Sequence, residues 1–371
     1  MAGKKSAYRL SNNKRKQKKD KIEDKEKKRE FTGEGLSPEE RVQSAKHVAR
    51  RWLGQHFLID HSVLIDAVRA ANVTEDDVIL EIGPGTGNLT AELLRTGCRV
   101  IAVEKDRNLA KNLRETLGKE YGEDVLEIIE EDFMKWEDLG TKFEHVSKTT
   151  KRAKVVANIP YNITTDILKR LLPMGDTFED LVFMFQEEVA RRLATEERMI
   201  KNENEEDEHE NENDDSEENK NTTTNNDKKK KKSNSDFRAM SVRTAYYSES
   251  RYIRPVAKDC FDPAPNVESC LIGFKPKRTE HLLKINGTEK QFFTFVQSCF
   301  AQKRKMLKNN LRATCDAETV DLAIEMLRRG DKVRPQELFM EDFVELFNFV
   351  RERKVEIVEV DDDEDDDSED D

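Results

Sequence analysis

The stretch V-I-L-E-I-G-P-G-T-G-N, Val78 to Asn88, constrains the fold more than any other part of the chain. Val78 to Ile82 is a short apolar run with β-branched residues, the pattern of a buried strand. It runs straight into Gly83, Gly85 and Gly87, which let the backbone turn tightly and come close to a ligand because no Cβ intervenes. A helical pattern follows from Leu89 to Leu94. Strand, glycine-rich turn and helix form the opening unit of a nucleotide-binding α/β sheet. A second strand, Arg99 to Val103, ends at Glu104, and a carboxylate at such a strand tip can take both hydroxyls of a ribose.

The glycines are spaced G-x-G-x-G, with an acid, Glu81, two residues before the first. This form resembles motif I of the class I methyltransferases, which bind S-adenosylmethionine. A sulfonium ligand carries no phosphate, so no helix N-terminus is required for an anion. A P-loop is excluded because no Gly-Lys-Ser/Thr follows.

Two further strands deliver polar residues to the same end of such a sheet. Val125 to Ile129 leads into Glu130-Glu131-Asp132-Phe133, placing Asp132 where open α/β sheets put their ligand contacts. Asp132 can accept the amine of an adenine there; it also reads as a solvated loop acid, since Glu130 and Glu131 adjoin it. Lys154 to Ala157 delivers N-I-P-Y, Asn158 to Tyr161. An amine on a base has a delocalised lone pair, so methylating it needs acceptors that draw the nitrogen toward tetrahedral geometry. The Asn158 oxygen and a backbone carbonyl near Ile159–Pro160 meet that need, and the Tyr161 ring can hold the base flat. Pro160 fixes the turn and removes a competing N–H. In-line placement of amine and methyl is the rest of the catalysis. The same four residues also read as a plain strand-ending turn.

Elsewhere, Ser37-Pro38-Glu39-Glu40 reads as a helix start running to about Arg51, and Asp60 to Ala71 as an amphipathic helix. Asp180 to Phe185 is a fifth strand, and Gln186 to Leu193 starts a helix. Arg243 to Tyr247 and Cys270 to Phe274 read as two late strands. Three helices follow, from Thr288, over Ala317 to Arg329, and over Gln336 to Val350. Lys303, Arg304, Lys305, Lys308 and Arg312 form a basic stripe, either a solvated face or a phosphate contact.

Taken in order, G-Q-H-F-L (Gly54 to Leu58), E-I-G-P-G-T-G, E-K-D (Glu104 to Asp106), E-D-F (Glu131 to Phe133) and N-I-P-Y-N-I-T-T-D-I resemble the rRNA adenine N6,N6-dimethyltransferase family. F-D-P-A-P-N-V-E-S, Phe261 to Ser269, is similar to the family's F-x-P-x-P-x-V-x-S segment. Q-K-R-K-M-L-K-N-N-L, Gln302 to Leu311, is similar to its basic C-terminal helix. The likeness spans roughly Gly54 to Leu311. It implies an α/β class I, Rossmann-like sheet of seven strands with a small C-terminal all-helical domain. It implies S-adenosylmethionine contacts at His56, Leu58, Gly83, Gly85, Glu104 (ribose), Asp132 (adenine) and Asn158. It also implies a flipped target adenine between Tyr161 and Phe261; without the family, Phe261 reads as an ordinary core aromatic. His56 departs from the pattern, since bacterial members commonly carry Asn there.

Composition sets the boundaries. The chain has 371 residues, 38% of them charged and 36% hydrophobic, with a net charge of −12. The charge is segregated: +8 over Met1 to Glu30, −7 over Asn202 to Asp236 and −11 over Glu359 to Asp371, leaving −2 for the rest. An RNA surface must therefore be a local patch. The expected organisation is a basic tail over 1–36, and a methyltransferase domain over 37–279 carrying a low-complexity insert at 202–236. A helical RNA-binding domain over 280–352 and an acidic tail over 353–371 complete it. The basic tail reads equally as a solvated segment or as a nucleic-acid or targeting arm. Cys98, Cys260, Cys270, Cys299 and Cys315 lack C-x-x-C spacing, so no metal site is expected, and no apolar run has the length of a membrane span.

The expected activity is transfer of methyl groups from S-adenosylmethionine to adenine N6 of small-subunit rRNA, dimethylating adjacent adenines near its 3′ end. The expected partner is small-subunit rRNA or the pre-ribosomal small subunit, and the expected state is a monomer. The alternatives are a non-catalytic nucleic-acid binder of the mitochondrial transcription factor type, a resistance-type methyltransferase of large-subunit rRNA, and a protein-glutamine methyltransferase. Ile159 and the Phe261 segment disfavour the last. The low-complexity segments suggest a eukaryote, and L-L-P-M-G-D, Leu171 to Asp176, resembles the plastid branch. A plastid or mitochondrion is therefore expected, with nucleolus or cytoplasm as alternatives.

Overall fold

The computed structural model describes residues 40–41, 56–147, 152–194, 238–302, 304–353, 355 and 357. The two tails, the 202–236 insert, Gly54, Lys303 and most of the helix expected from Ser37 to Arg51 lie outside the described residues.

Nine strands are described: β1 Phe57–Leu58, β2 Val78–Ile82, β3 Arg99–Glu104, β4 Leu126–Glu130, β5 Ala153–Asn158, β6 Phe178–Gln186, β7 Ser248–Val256, β8 Phe261–Asp262 and β9 Ser269–Pro276. Seven form one sheet in the order β4-β3-β2-β5-β6-β9-β7. The pairings from β4 through β6 are parallel, and β9 and β7 add an antiparallel edge. Alternating side chains bury both faces. Leu80, Ile82, Ile101, Val103, Val155 and Ala157 enter one apolar cluster; Ile79, Val100, Ala102 and Val156 enter the other.

The connection out of β2 goes to β3 on one side, while β5 pairs on the other. Strand order reverses there, opening a crevice beyond the strands' carboxyl ends. Within the sheet, Lys154 sits beside the apolar run of β5. Its Nζ lies 2.9 Å from Asp77 Oδ2 and donates to the Asn72 carbonyl at 2.8 Å, so a buried charge is matched on arrival.

Helices cover the sheet: α1 His61–Ala70, α2 Asn88–Leu94, α3 Arg107–Leu113, α4 Leu139–Ser147, α5 Thr164–Leu171, α6 Glu187–Leu193 and α7 Ala239–Tyr247. Asp60 caps α1 by accepting from the Val63 amide, and Asp106 caps α3 by accepting from Asn108 and Leu109. Arg243 to Tyr247 is thus the end of a helix rather than a strand, and the strand begins at Ser248. Its β-branched and aromatic residues suit a strand locally, but tertiary burial decides. Val242 and Thr244 are fully buried, and the Arg243 guanidinium lies 4.0 Å from the Phe293 ring centroid.

Four helices end the fold: α8 Glu289–Phe300, α9 Leu307–Leu311, α10 Ala317–Leu327 and α11 Met340–Glu352. Gln302 to Leu311 is not one continuous helix. Met306 is extended, the Leu307 amide donates to the Val333 carbonyl at 2.9 Å, and only Leu307–Leu311 is helical. The last helix starts at Met340 rather than Gln336, after a 3-10 turn at Pro335–Glu337. Tyr246 packs on Phe292 (5.3 Å between centroids), Tyr247 on Phe293 (5.5 Å) and Phe292 on Phe347 (5.4 Å). The sheet and the terminal helices therefore share one apolar cluster.

Candidate active site

A cavity of about 510 Å³ lies at the carboxyl ends of β2, β3, β4 and β5. That is within the range of small-molecule sites. Its floor is the glycine turn. Gly85 has φ +59° and Gly87 φ +81°, left-handed values that favour glycine. A Cβ on Gly87 would meet the Leu113 side chain at 2.6 Å, and one on Gly85 the Phe57 ring at 3.2 Å.

The turn also sets Glu104. The Gly85 amide donates to Glu104 Oε2 at 3.0 Å and the Asp106 amide to Oε1 at 2.8 Å. Burial raises the pKa of Glu104, and these amides oppose it. Each carboxylate oxygen keeps a further lone pair for a ligand hydroxyl. Glu81 lines the cavity with its Oε2 unpaired among the described residues. Burial pushes its carboxyl up to about 8, opposed by Thr90 and reinforced by Glu104.

Asp132 follows β4. Its Oδ1 accepts from the Met134 amide at 3.1 Å and its Oδ2 faces Lys105 Nζ at 2.8 Å. The Lys105 hydrogen bond holds this carboxyl below the ordinary range. Arg170 of α5 donates to the Phe133 and Trp136 carbonyls, and its guanidinium lies 4.9 Å from the Phe133 ring centroid. It thereby pins the loop that carries Asp132.

Asn158 ends β5, and its Nδ2 donates to the His56 carbonyl at 3.4 Å, leaving the side-chain oxygen as an acceptor. Pro160 has φ −58°, and Tyr161 begins a 3-10 turn. The Tyr161 hydroxyl lies 2.5 Å from Ser269 Oγ. Burial raises the pKa of Tyr161, and the Ser269 bond opposes that.

His56 to Leu58 roofs the cavity. β1 pairs antiparallel with β8, Phe57 with Asp262 and Leu58 with Phe261. His56 Nδ1–H donates to the Pro263 carbonyl at 2.8 Å, and Asn88 Nδ2 donates to the Leu58 carbonyl at 2.7 Å. Two motifs distant in sequence are thus one strap.

The structure gathers His56, Leu58, Gly83, Gly85, Glu104, Asp132, Asn158, Pro160 and Tyr161 around the cavity. It does not bring Phe261 there. Phe261 is 4% exposed and packs in the cluster that holds Leu58, Val256 and Leu271. Arg304, Lys305 and Arg312 are exposed and Lys308 is half-buried, away from the cavity lining. Phe57, Lys105 and Arg170 also shape the site, and none of them is assigned a role there from sequence. Lys105 sits inside the E-K-D triplet, whereas nothing in sequence singles out Arg170 on its amphipathic helix.

Comparison with known proteins agrees with this geometry. A sequence model of the family described as ribosomal RNA adenine dimethylase matches residues 46–202 and 223–352. The chain is 32% identical over 308 residues to the ribosomal RNA small subunit methyltransferase, chloroplastic, of Arabidopsis thaliana, covering 81% of this chain and 78% of that protein. It is 31% identical to ribosomal RNA small subunit methyltransferase A of Protochlamydia amoebophila, covering 81% and 90%. Among solved structures, a dimethyladenosine transferase from Plasmodium falciparum aligns with a TM-score of 0.56 at 21% identity, over 81% of this chain and 98% of that one. The 23S rRNA methyltransferase ErmE aligns with a TM-score of 0.54 at 22% identity, over 79% and 99%. These last two establish the fold, a Rossmann-like methyltransferase sheet.

S-adenosylmethionine is the methyl donor, and the residues present fit it. The Glu104 carboxylate keeps lone pairs free for a ligand's hydroxyls, Gly83 and Gly85 leave the backbone open to close approach, and the buried Glu81 carboxyl has an oxygen without a partner among the described residues. By its motifs, its sheet and its matched length, the chain belongs to the ribosomal RNA adenine dimethylase family.

Proposed function

We propose that this protein transfers methyl groups from S-adenosylmethionine to the N6 amine of adenine in small-subunit rRNA, twice per base and at adjacent adenines near the 3′ end. The observation that carries the reading is the convergence of Asn158 and Tyr161 with Glu104 and Asp132 on one cavity, in a chain of this family. When bound, S-adenosylmethionine supplies an electrophilic methyl on a sulfonium centre. Glu104 accepts from the ribose, and Asp132 accepts from the adenine amine of the donor. The Asn158 oxygen and the backbone carbonyl near Ile159–Pro160 accept the hydrogens of the target amine, drawing its lone pair out of conjugation. Tyr161 stacks on the target base and keeps it in the plane those acceptors require. Positioning of this kind contributes several orders of magnitude in rate without a strong base.

Arg304, Lys305, Lys308 and Arg312 contact RNA phosphates in this reading, and Lys303 joins them in sequence. The family resemblance assigns Phe261 to the face of the base opposite Tyr161; in this structure its ring packs in the apolar cluster with Leu58. The partner is the pre-ribosomal small subunit, approached by a monomer. A plastid setting is supported by the similar chloroplastic protein of Arabidopsis.

The test is methyl transfer from labelled S-adenosylmethionine to small ribosomal subunits that lack dimethyladenosine, beside an Asn158→Ala control. Labelled dimethyladenosine in the wild-type reaction alone supports the reading. RNA binding without label in either reaction overturns it.

A further inference from the structure

Tyr161 is held from across the sheet. Asn158 is the last residue of β5, and Tyr161 stands on a single 3-10 turn, Tyr161–Ile163, outside any strand. Such a backbone leaves the ring free to choose among staggered χ1 wells and a broad range of χ2. The hydroxyl removes that freedom, because it lies 2.5 Å from Ser269 Oγ. Ser269 is fully buried and is the first residue of β9. It is paired with Gln186 of β6 on one side and Val256 of β7 on the other. A serine laddered on both sides is a fixed point, whereas the Tyr161 backbone makes no strand pairing of its own. The bond thus joins the loop that follows the fourth parallel strand to the antiparallel half of the sheet, 108 residues away in sequence.

Resting on the methyl-transfer reading above, we propose that Ser269 is a positioning residue: its hydroxyl sets the plane of the Tyr161 ring, and through stacking sets the place of the target amine relative to Asn158. A base stacked on a ring tilts when the ring tilts. A tilt that moves the amine off the line of transfer slows the reaction steeply, without weakening capture of the methyl donor.

The experiment compares wild type, Ser269→Ala, Tyr161→Phe, the double variant and Ser269→Thr, methylating small ribosomal subunits that lack dimethyladenosine. It measures kcat, KM for S-adenosylmethionine and thermal unfolding. Losing the one hydrogen bond from either side lowers kcat roughly tenfold. The double variant loses no more than either single one, Ser269→Thr regains most of the rate, and KM for S-adenosylmethionine does not change. Additive losses in the double variant overturn the proposal, as does a wild-type kcat for either single variant. A loss of rate that only follows a lowered unfolding temperature also overturns it. If Ser269→Ala fails to fold, Tyr161→Phe decides alone, since it breaks the same bond from the cavity side. A wild-type protein that binds the subunits but methylates none of them overturns the underlying reading, and this inference with it.

Discussion

The side-chain amide of Asn158 donates to the backbone carbonyl of His56, at 3.4 Å and 102 residues away in sequence. The acceptor end of Asn158 is therefore oriented by the roof of the cavity, and the roof is in turn strapped to the Pro263 carbonyl through His56 Nδ1. Replacing Asn158 by Ala removes a preorganised acceptor and lowers kcat about 10²- to 10³-fold. His56→Ala leaves the acceptor but loosens the strap, raising KM for S-adenosylmethionine about two- to tenfold. Steady-state kinetics on both variants separate the two roles.

Glu81 makes folding stability fall as pH rises. Burial lifts its carboxyl to about 8 in the fold, against an ordinary value of 4.5. Between those values the folded state holds a proton that the unfolded chain has lost, so stability declines with rising pH across that window. Urea unfolding of the ligand-free protein at a series of pH values measures the decline. Glu81→Gln, which cannot ionise, flattens it.

The Lys154–Asp77 pair has the opposite sign. Burial opposes ionisation of Asp77, yet the Lys154 and Thr74 hydrogen bonds win and hold it below its ordinary 3.8. Its contribution is complete above that value and is lost as pH falls through the lower folded one. Lys154→Ala leaves a buried carboxylate unmatched and costs about 3 kcal/mol at pH 7. Chemical denaturation at pH 7 checks this figure, and the penalty shrinks in strong acid.

Arg170 reports on the Asp132 loop. Its guanidinium holds the Phe133 and Trp136 carbonyls together. Arg170→Ala frees the loop and raises KM for S-adenosylmethionine about tenfold, with kcat less affected. Amide exchange over Asp132 to Trp136 quickens in the same variant. Arg170→Lys restores little, because an ammonium lacks the two separated nitrogens of the planar guanidinium, each of which takes one of these carbonyls.

Much of the parallel half of the sheet was legible because its strands are short apolar runs ending in polar residues. Val78–Ile82 was read to the residue, and the strands ending at Glu104 and Asn158 differ by one residue at an end or two. The antiparallel edge was harder. Arg243 to Tyr247 carries strand-like residues in a helix whose every turn is buried, so the packing that decides it lies in Phe292 and Phe293, outside the segment. The basic segment at Gln302 to Leu311 has helical composition, and the bond that breaks it comes from Val333. In the site, the carboxylates and Asn158 were visible as strand ends. Arg170 and Lys105 were not, because their meaning depends on what the fold places opposite them. Resemblance places Phe261 in the cavity, whereas its strand pairing with Leu58 turns it into the core.

The shared cluster of Tyr246, Tyr247, Phe292, Phe293 and Phe347 makes the catalytic sheet and the terminal helices inseparable. A chain cut near residue 279 would bare the rings of α7 to water. A replacement helical part would have to present rings that match Tyr246 and Tyr247 where Phe292 and Phe293 now stand, a demand that domains strung on linkers do not face.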